Sequence, residues 1–331
     1  MDPISQGVLG ASASQSFSTR HETGLATVSG FVAGLAADMD VFIRSSTDPL
    51  LFLEYHRQFT HSLLFIPVGA TLCALLLYFT LIKSRLSFKK TWCYCALGYA
   101  THALLDSCTT YGTMLFWPFS DVRIAWNNLS IVDPLFTIPL LILVLTGWRK
   151  QSPVYARIAL GWVILFATLG VIQKENAESM GMALALDRGH EPLNLGAKPS
   201  FGNMILWKIV YEYQGRYYVD AVRVGIVGKV FTGDSIKKLD LETDFSWLQP
   251  DSQQARDVER FRWFSMGYLA VDQQQDNLIV DVRYSMLPNE IHALWGIRLN
   301  PDADNTTHVS YETRRDGTAM RTKILMEMLF N

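Results

Sequence analysis

Of the seven histidines in this 331-residue sequence, three stand inside or directly beside strongly apolar stretches: His56, His61 and His102. His102 and Asp106 are four residues apart in Thr-His-Ala-Leu-Leu-Asp, a spacing that puts both on one face of a helix, one turn apart. Asp38 and Asp40 close the apolar stretch 24–37, Asp133 opens another, and Arg57 and Arg123 lie in the connecting segments. Imidazole and carboxylate together are the donor set of a divalent-metal site, and ionised groups near lipid need a counter-charge to offset their desolvation. The step from His56 to His61 is different. Five residues on a helix turn a side chain by about 140°, so at least one of the two leaves the helix or touches the site only indirectly.

The elements that must carry these residues follow from the charge distribution. The chain is 49% hydrophobic and 18% charged, with a formal net charge of -2. Residues 1–174 hold 21 of its Lys, Arg, Asp and Glu and residues 175–331 hold 39, so charge density rises from about 12% to about 25% at one boundary. The first part reads as built for lipid and the second for water. Apolar stretches long enough to span lie near 62–82, 92–115, 131–147 and 156–172, and the shorter one near 24–43 reads either as a further span or as a re-entrant half-helix packed on the others. The span at 92–115 contains His102 and Asp106 and should face protein or water. Lys83, Arg85, Lys89 and Lys90 form one dense basic loop and Arg149, Lys150 and Arg157 another, which orients both towards the cytoplasm. The His and Asp residues then all fall towards the outer side, and five spans carry the C-terminal part there.

That C-terminal part alternates in the manner of strands. Residues 205–213 and 216–224 flank Gln214-Gly215 and read as a β-hairpin. Further strands are expected at 267–272, 278–285, 293–299 and 307–314, and helices at 252–264 and 318–330. The fold class is a multi-span α-helical membrane domain, residues 1–174, followed by a soluble α+β domain, residues 175–331. The four cysteines form no disulfide framework and no Cys-based zinc site, and His21, His190, His292 and His308 have no motif around them. The first 20 residues lack the basic start and apolar run of a cleavable signal peptide. No nucleotide-binding loop or nucleophile elbow is present, and a near-neutral chain without basic blocks is not expected to bind nucleic acid.

An ordered set of short motifs covers residues 1–150: Met1-Asp2-Pro3 with Gly10-Ala11, the stretch from Gly34 ending Asp38-Met-Asp40, His56-Arg57 with Thr60-His61-Ser62, and His102 to Asp106. Thr110-Tyr-Gly-Thr113, Trp117-Pro-Phe-Ser120 with Arg123, and Ile131-Val-Asp-Pro134 complete it. This order resembles the bacterial inner-membrane family described as YdjM-like membrane-bound metal-dependent hydrolases. One position departs: Ser5-Gln6 stands where that family commonly has a Thr-His pair. The resemblance implies a hydrolase of the inner, cytoplasmic membrane.

Together these readings give an expected mechanism. A divalent metal, zinc in first place and manganese as the alternative, would be held by some of His56, His61, His102 and Asp106, with Asp38, Asp40 or Asp133 completing one or two sites. Activated water would attack an ester or phosphoester, lipid-linked substrates included, with Arg123 or Arg57 neutralising the developing oxyanion and Asp133 as general base. The expected surroundings are the lipid bilayer and a periplasm-facing C-terminal domain. The competing class is a non-catalytic metal-binding sensor or adaptor whose C-terminal domain binds a partner. A transporter would need polar residues continuing towards the cytoplasmic ends of the spans, and they stop in the outer half.

Overall fold

The structure, a computed structural model, describes residues 1–225, 227–315 and 317–331. They form two compact units, one made of Met1–Phe42, Tyr55–Ile172 and Phe201–Asn203, the other of Ile43–Glu54, Gln173–Ser200 and Met204–Asn331. Segment 43–54, between the first two apolar stretches, is thus built into the second unit. There the Arg260 guanidinium clamps Asp48, at 2.7 and 3.0 Å, and Phe52 packs edge-on against Tyr311.

The helices in chain order are α1 (Pro3–Ser16), α2 (Thr23–Ala36), α3 (Leu51–Tyr55), α4 (Ile66–Leu77), α5 (Phe88–Ser107), α6 (Pro134–Arg149), α7 (Val154–Asp187), α8 (Leu241–Asp244), α9 (Gln253–Phe264) and α10 (Thr318–Phe330). Among the described residues three helical stretches, Arg20–Phe42, Leu63–Ile82 and Val154–Asp187, are long and apolar enough to cross a membrane, and Pro134–Arg149 is apolar but shorter. On α4 the small residues Gly69, Ala70, Cys73 and Ala74 face inwards while Val68, Leu72, Leu75 and Leu76 are exposed. Large apolar side chains outside and small ones inside is the arrangement a lipid solvent rewards.

Two helix ends differ from expectation. The element expected to run to 115 stops at Ser107, because Thr109 Oγ1 and the Cys108 and Thr109 amides turn back onto the last carbonyls of α5, and Gly112 takes a left-handed φ of 86°. The element expected to end at 172 continues to Asp187, where Gly189, at φ 74°, stops it.

Helix α1 is the element sequence patterning misses. Every residue from Ser5 to Ser16 is buried, although six of the twelve are Ser or Gln. Its surroundings are protein, so its polar side chains find partners: Ser14 Oγ donates to Tyr94 O at 2.6 Å, and Gln15 Nε2 to Thr27 Oγ1 at 2.9 Å and Val144 O at 3.1 Å. Helices α1, α2 and α5 meet through glycines. A Cβ on Gly10 would collide with Gly30 O, one on Gly30 with Gly10 O and the Ser14 side chain, and one on Gly98 with the backbone of Gly30. Helix α5 presents a continuous inward stripe, Thr91, Tyr94, Cys95, Gly98, Tyr99, His102, Ala103, Leu105 and Asp106, at the three- and four-residue spacing of one helical face. His102 and Asp106 are simply its last turn.

The second unit holds two four-stranded antiparallel sheets: β1 (Asn194–Pro199), β2 (Leu206–Tyr213), β3 (Arg216–Arg223) and β4 (Lys229–Lys237), then β5 (Leu269–Val271), β6 (Leu278–Asp281), β7 (Trp295–Arg298) and β8 (Ser310–Thr313), each sheet in sequential order. The expected hairpin is β2–β3, and the later strands and both expected helices are present. β1 and β4 are additional. The far part of α7 packs Ala177 and Ala185 against Trp207, Ile209 and Tyr211 of β2. All four cysteines are free thiols.

Lys198 and Lys208 are register partners on β1 and β2, and both are buried. Lys208 Nζ donates to Ser285 Oγ and Glu290 O, each at 2.8 Å. Burial pushes both ammonium groups down to about 7. Between that value and the ordinary lysine range the unfolded chain binds more protons than the folded one, so stability rises with pH across that window. Urea unfolding of the full-length protein, followed by the sheet signal in circular dichroism, is expected to strengthen from pH 7 to 9 by up to about 1.4 kcal/mol per pH unit for each lysine, and Lys208→Met to flatten that rise.

The glycine contact gives a second prediction. Gly30→Ala should destabilise the protein by about 1–3 kcal/mol through overpacking, read as a lowered thermal midpoint in detergent. Gly161→Ala, with no heavy atom within 4 Å of the new Cβ, should leave it unchanged.

Candidate metal centre

Three stretches of chain bring the site together. Asp38 and Asp40 lie on the 3-10 turn Ala37–Phe42 that prolongs α2. His56 and Arg57 follow α3, and His61 ends the 3-10 turn Phe59–His61. His102 and Asp106 come from the last turn of α5. Residues 56–61 are not one helix: Arg57 adopts a left-handed φ of 64°, held by its own N–H donating to Asp40 Oδ2 at 3.0 Å and its carbonyl accepting from Met114 N at 3.0 Å. This break resolves the five-residue step, so both histidines reach Asp40.

Asp38, His61, His102 and Asp106 form a group able to hold a metal ion, their donor atoms all lying within 4.8 Å of one another. His61 Nε2 is 3.3 Å from Asp106 Oδ2 and 3.5 Å from Asp38 Oδ1, and His102 Nε2 is 3.3 Å from Asp38 Oδ1 and 3.6 Å from Asp106 Oδ2. Ligands bound tetrahedrally at about 2.0–2.1 Å stand roughly 3.3–3.4 Å apart, so these edges fit. His61 Nε2, His102 Nε2 and Asp106 Oδ2 are buried and make no hydrogen bond. Leaving one such group unsatisfied costs about 1–3 kcal/mol. Three of them turned towards one point is the arrangement a cation satisfies.

The outer nitrogens set the ring tautomers. His102 Nδ1 lies 2.6 Å from Gly34 O, an acceptor only, so Nδ1 carries the proton and Nε2 offers its lone pair to the group. His61 Nδ1 sits 3.2 Å from Asp40 Oδ2 and 3.0 Å from Thr60 Oγ1. Asp40 is a hub: Oδ1 takes His56 Nδ1 at 2.8 Å, while Oδ2 also accepts from Thr60 Oγ1 at 2.6 Å. It orients the two histidines. Asp38, Asp40 and His56 make a second, overlapping group of possible ligands. Burial holds His56 below the ordinary imidazole range against the pull of Asp40, which keeps the ring neutral at pH 7.

The remaining expected residues have distinct places. Arg57 Nε lies 3.0 Å from Asp106 Oδ2 and its Nη1 donates to Thr109 Oγ1 at 3.0 Å. Buried Arg123 donates through Nη2 to Gly112 O at 3.1 Å and His56 O at 3.3 Å. Asp133 belongs to neither group. It caps α6, accepting from Leu135 N and Phe136 N at 3.0 and 3.4 Å.

Two participants escape residue-type reasoning. Gln6 Nε2 donates to Asp106 Oδ1 at 2.7 Å, beside the amino group of Met1 on the same oxygen. Tyr111 lies between both guanidinium groups, 4.9 Å from Arg57 and 5.7 Å from Arg123, with the His56 ring edge-on at 5.7 Å. Their signals are positional: Gln6 lies three residues after the Met-Asp-Pro opening, and Tyr111 lies in the Thr-Tyr-Gly-Thr motif.

Fold and site together describe a helical membrane protein with a buried His/Asp group able to bind metal. Residues 1–177 match the family described as YdjM inner membrane protein, and the chain belongs to that family. No curated protein and no solved structure matches it.

Elemental analysis of the purified protein is expected to find bound divalent metal, reduced at least tenfold in His102→Ala and Asp106→Ala. Asp40→Asn, which removes an orienting partner but no member of the four-residue group, should weaken affinity about 10–100-fold. Binding should also weaken as pH falls, since protons compete for the same nitrogens.

Proposed function

We propose that this chain is a metal-dependent hydrolase of the inner membrane, acting on an ester or phosphoester, lipid-linked substrates included, at the periplasmic face. The observation that carries the reading is the convergence of two imidazole nitrogens and two carboxylate oxygens within 4.8 Å of one another, three of them with no hydrogen bond. Two nitrogen and two oxygen donors in a four-ligand set favour zinc, with manganese as the alternative. A divalent cation in that place supplies Lewis acidity towards water and the scissile group.

The chain's own residues supply the rest. Asp40 holds His56 through Nδ1, leaving Nε2 of a neutral, one-fifth exposed ring to accept a proton. Arg57 and Arg123, gathered around Tyr111, bring positive charge to where an oxyanion develops. Asp133 lies outside both His/Asp groups, with Oδ1 capping α6, so His56 replaces it as the proposed base. The periplasmic orientation is supported by the basic loops around Lys83–Lys90 and Arg149–Arg157, at the opposite ends of the helices from the site.

A second reading rests on burial. His61, His102 and Asp106 are fully buried and only Asp38 is partly open, at 27%, as in a closed structural site. The chain would then be a metal-binding sensor or adaptor. Assays of wild type and His56→Ala on phosphoester and lipid panels separate the two. The hydrolase reading expects turnover that falls at least tenfold in His56→Ala while bound metal is retained, and bound metal without turnover on any substrate favours the sensor. A reporter fused after residue 331 should be active in the periplasm, and cytoplasmic activity would overturn the orientation.

A further inference from the structure

Acidic and imidazole groups gather beyond the C-terminal end of α2, and a different chemistry lies at its other end. Around its N-terminus lies a cavity of about 1030 Å³ whose lining includes Arg20 and His21 ahead of α2, Arg85 after α4, and Trp148 and Arg149 at the end of α6. Glu22, the one acid in that lining, is engaged by Lys90 and by the Tyr94 hydroxyl at 2.9 Å. Arg20, Arg85 and Arg149 make no side-chain hydrogen bond or ion pair among the described residues. The cavity therefore offers three uncompensated guanidinium groups above an apolar floor of Leu25, Val28, Leu81 and Leu145.

The floor does not end there. A second, apolar cavity of about 230 Å³ shares Val28, Leu145 and Trp148 with the first and continues between α1, α2 and α6 past Val32 and Leu141 to Val8. From Trp148 to Leu141 it follows seven residues of α6, about 10 Å. A ligand that satisfies both cavities is an amphiphile with an anionic head and an aliphatic tail. Guanidinium groups pair with phosphate oxygens in bidentate fashion, and clustered arginines beside membrane helices meet anionic headgroups at the bilayer surface.

We propose that this end of the bundle is a binding site for an anionic phospholipid, its phosphate held by Arg20, Arg85 and Arg149 and one acyl chain lying in the groove below Trp148. The site lies at the other end of α2 from the metal centre and does not depend on it.

The test is native mass spectrometry of the full-length, delipidated protein in detergent, titrated with phosphatidylglycerol or phosphatidylcholine of equal chain length. Wild type should retain one phosphatidylglycerol at least tenfold more tightly than phosphatidylcholine. Arg20→Gln/Arg85→Gln/Arg149→Gln should reduce that preference to near unity with the thermal midpoint unchanged, and Val28→Trp, which fills the shared neck, should reduce retention of both lipids. Equal retention of the two lipids by wild type would overturn the proposal, as would an unchanged preference in the folded triple variant. Displacement of the lipid by glycerol phosphate at equal concentration would show that no acyl chain is bound and would also overturn it. Should the triple variant not fold, salt decides: 0.5 M sodium chloride should abolish the wild-type preference, and a salt-independent preference refutes the arginine contact.

Discussion

The hydrogen bond between His102 Nδ1 and Gly34 O, 2.6 Å long, depends on helices approaching until their backbones touch, and the site depends on it in turn. A side chain on α5 reaches a main-chain carbonyl of α2 only because Gly10, Gly30, Gly34 and Gly98 remove the Cβ atoms that would hold α1, α2 and α5 apart. In lipid no hydrophobic force drives helices together, so close packing and interhelical hydrogen bonds must do so. Here the same contacts that hold the bundle also select the histidine tautomer. Packing and ligand chemistry are therefore one constraint.

Charge is the second consequence. Burying Asp38, Asp40 and Asp106 near a membrane is unfavourable unless each carboxylate is matched. Asp40 is matched within the protein, by His56, His61, Thr60 and the Arg57 amide. Asp106 is matched on one oxygen by Gln6 and the Met1 amino group, while its other oxygen has Arg57 beside it at 3.0 Å but makes no hydrogen bond. The residual demand for positive charge falls at the point between the two imidazoles. The protein places there a group of donors able to hold a cation.

The membrane unit is thus polar at both ends for opposite reasons. Carboxylates and imidazoles collect at one end of α2 and α5, where three chain segments cross. Arginines collect at the other, where the short basic loops lie. Between them the exposed faces of α4, α6 and α7 carry large apolar side chains. This polarity is what the proposed orientation rests on.

Much of this was legible in the residues alone. The doubling of charge density marks the change from lipid to water as solvent, because burial in lipid penalises every charge whatever the fold. The His102–Asp106 spacing places both on one helical face, a property of helix geometry alone, and Gln214-Gly215 between alternating residues predicts the β2–β3 hairpin. The tertiary structure decided what depends on distance in space. Helix α1 is invisible to hydropathy because protein, not lipid, surrounds it and satisfies its serines and glutamines. Asp133, equivalent to the other aspartates by type, caps α6, while Asp40 orients two histidines. Sequence spacing determines which groups share a face. Only the folded chain determines which lone pairs are left without a partner, and those are the ones that point to a metal.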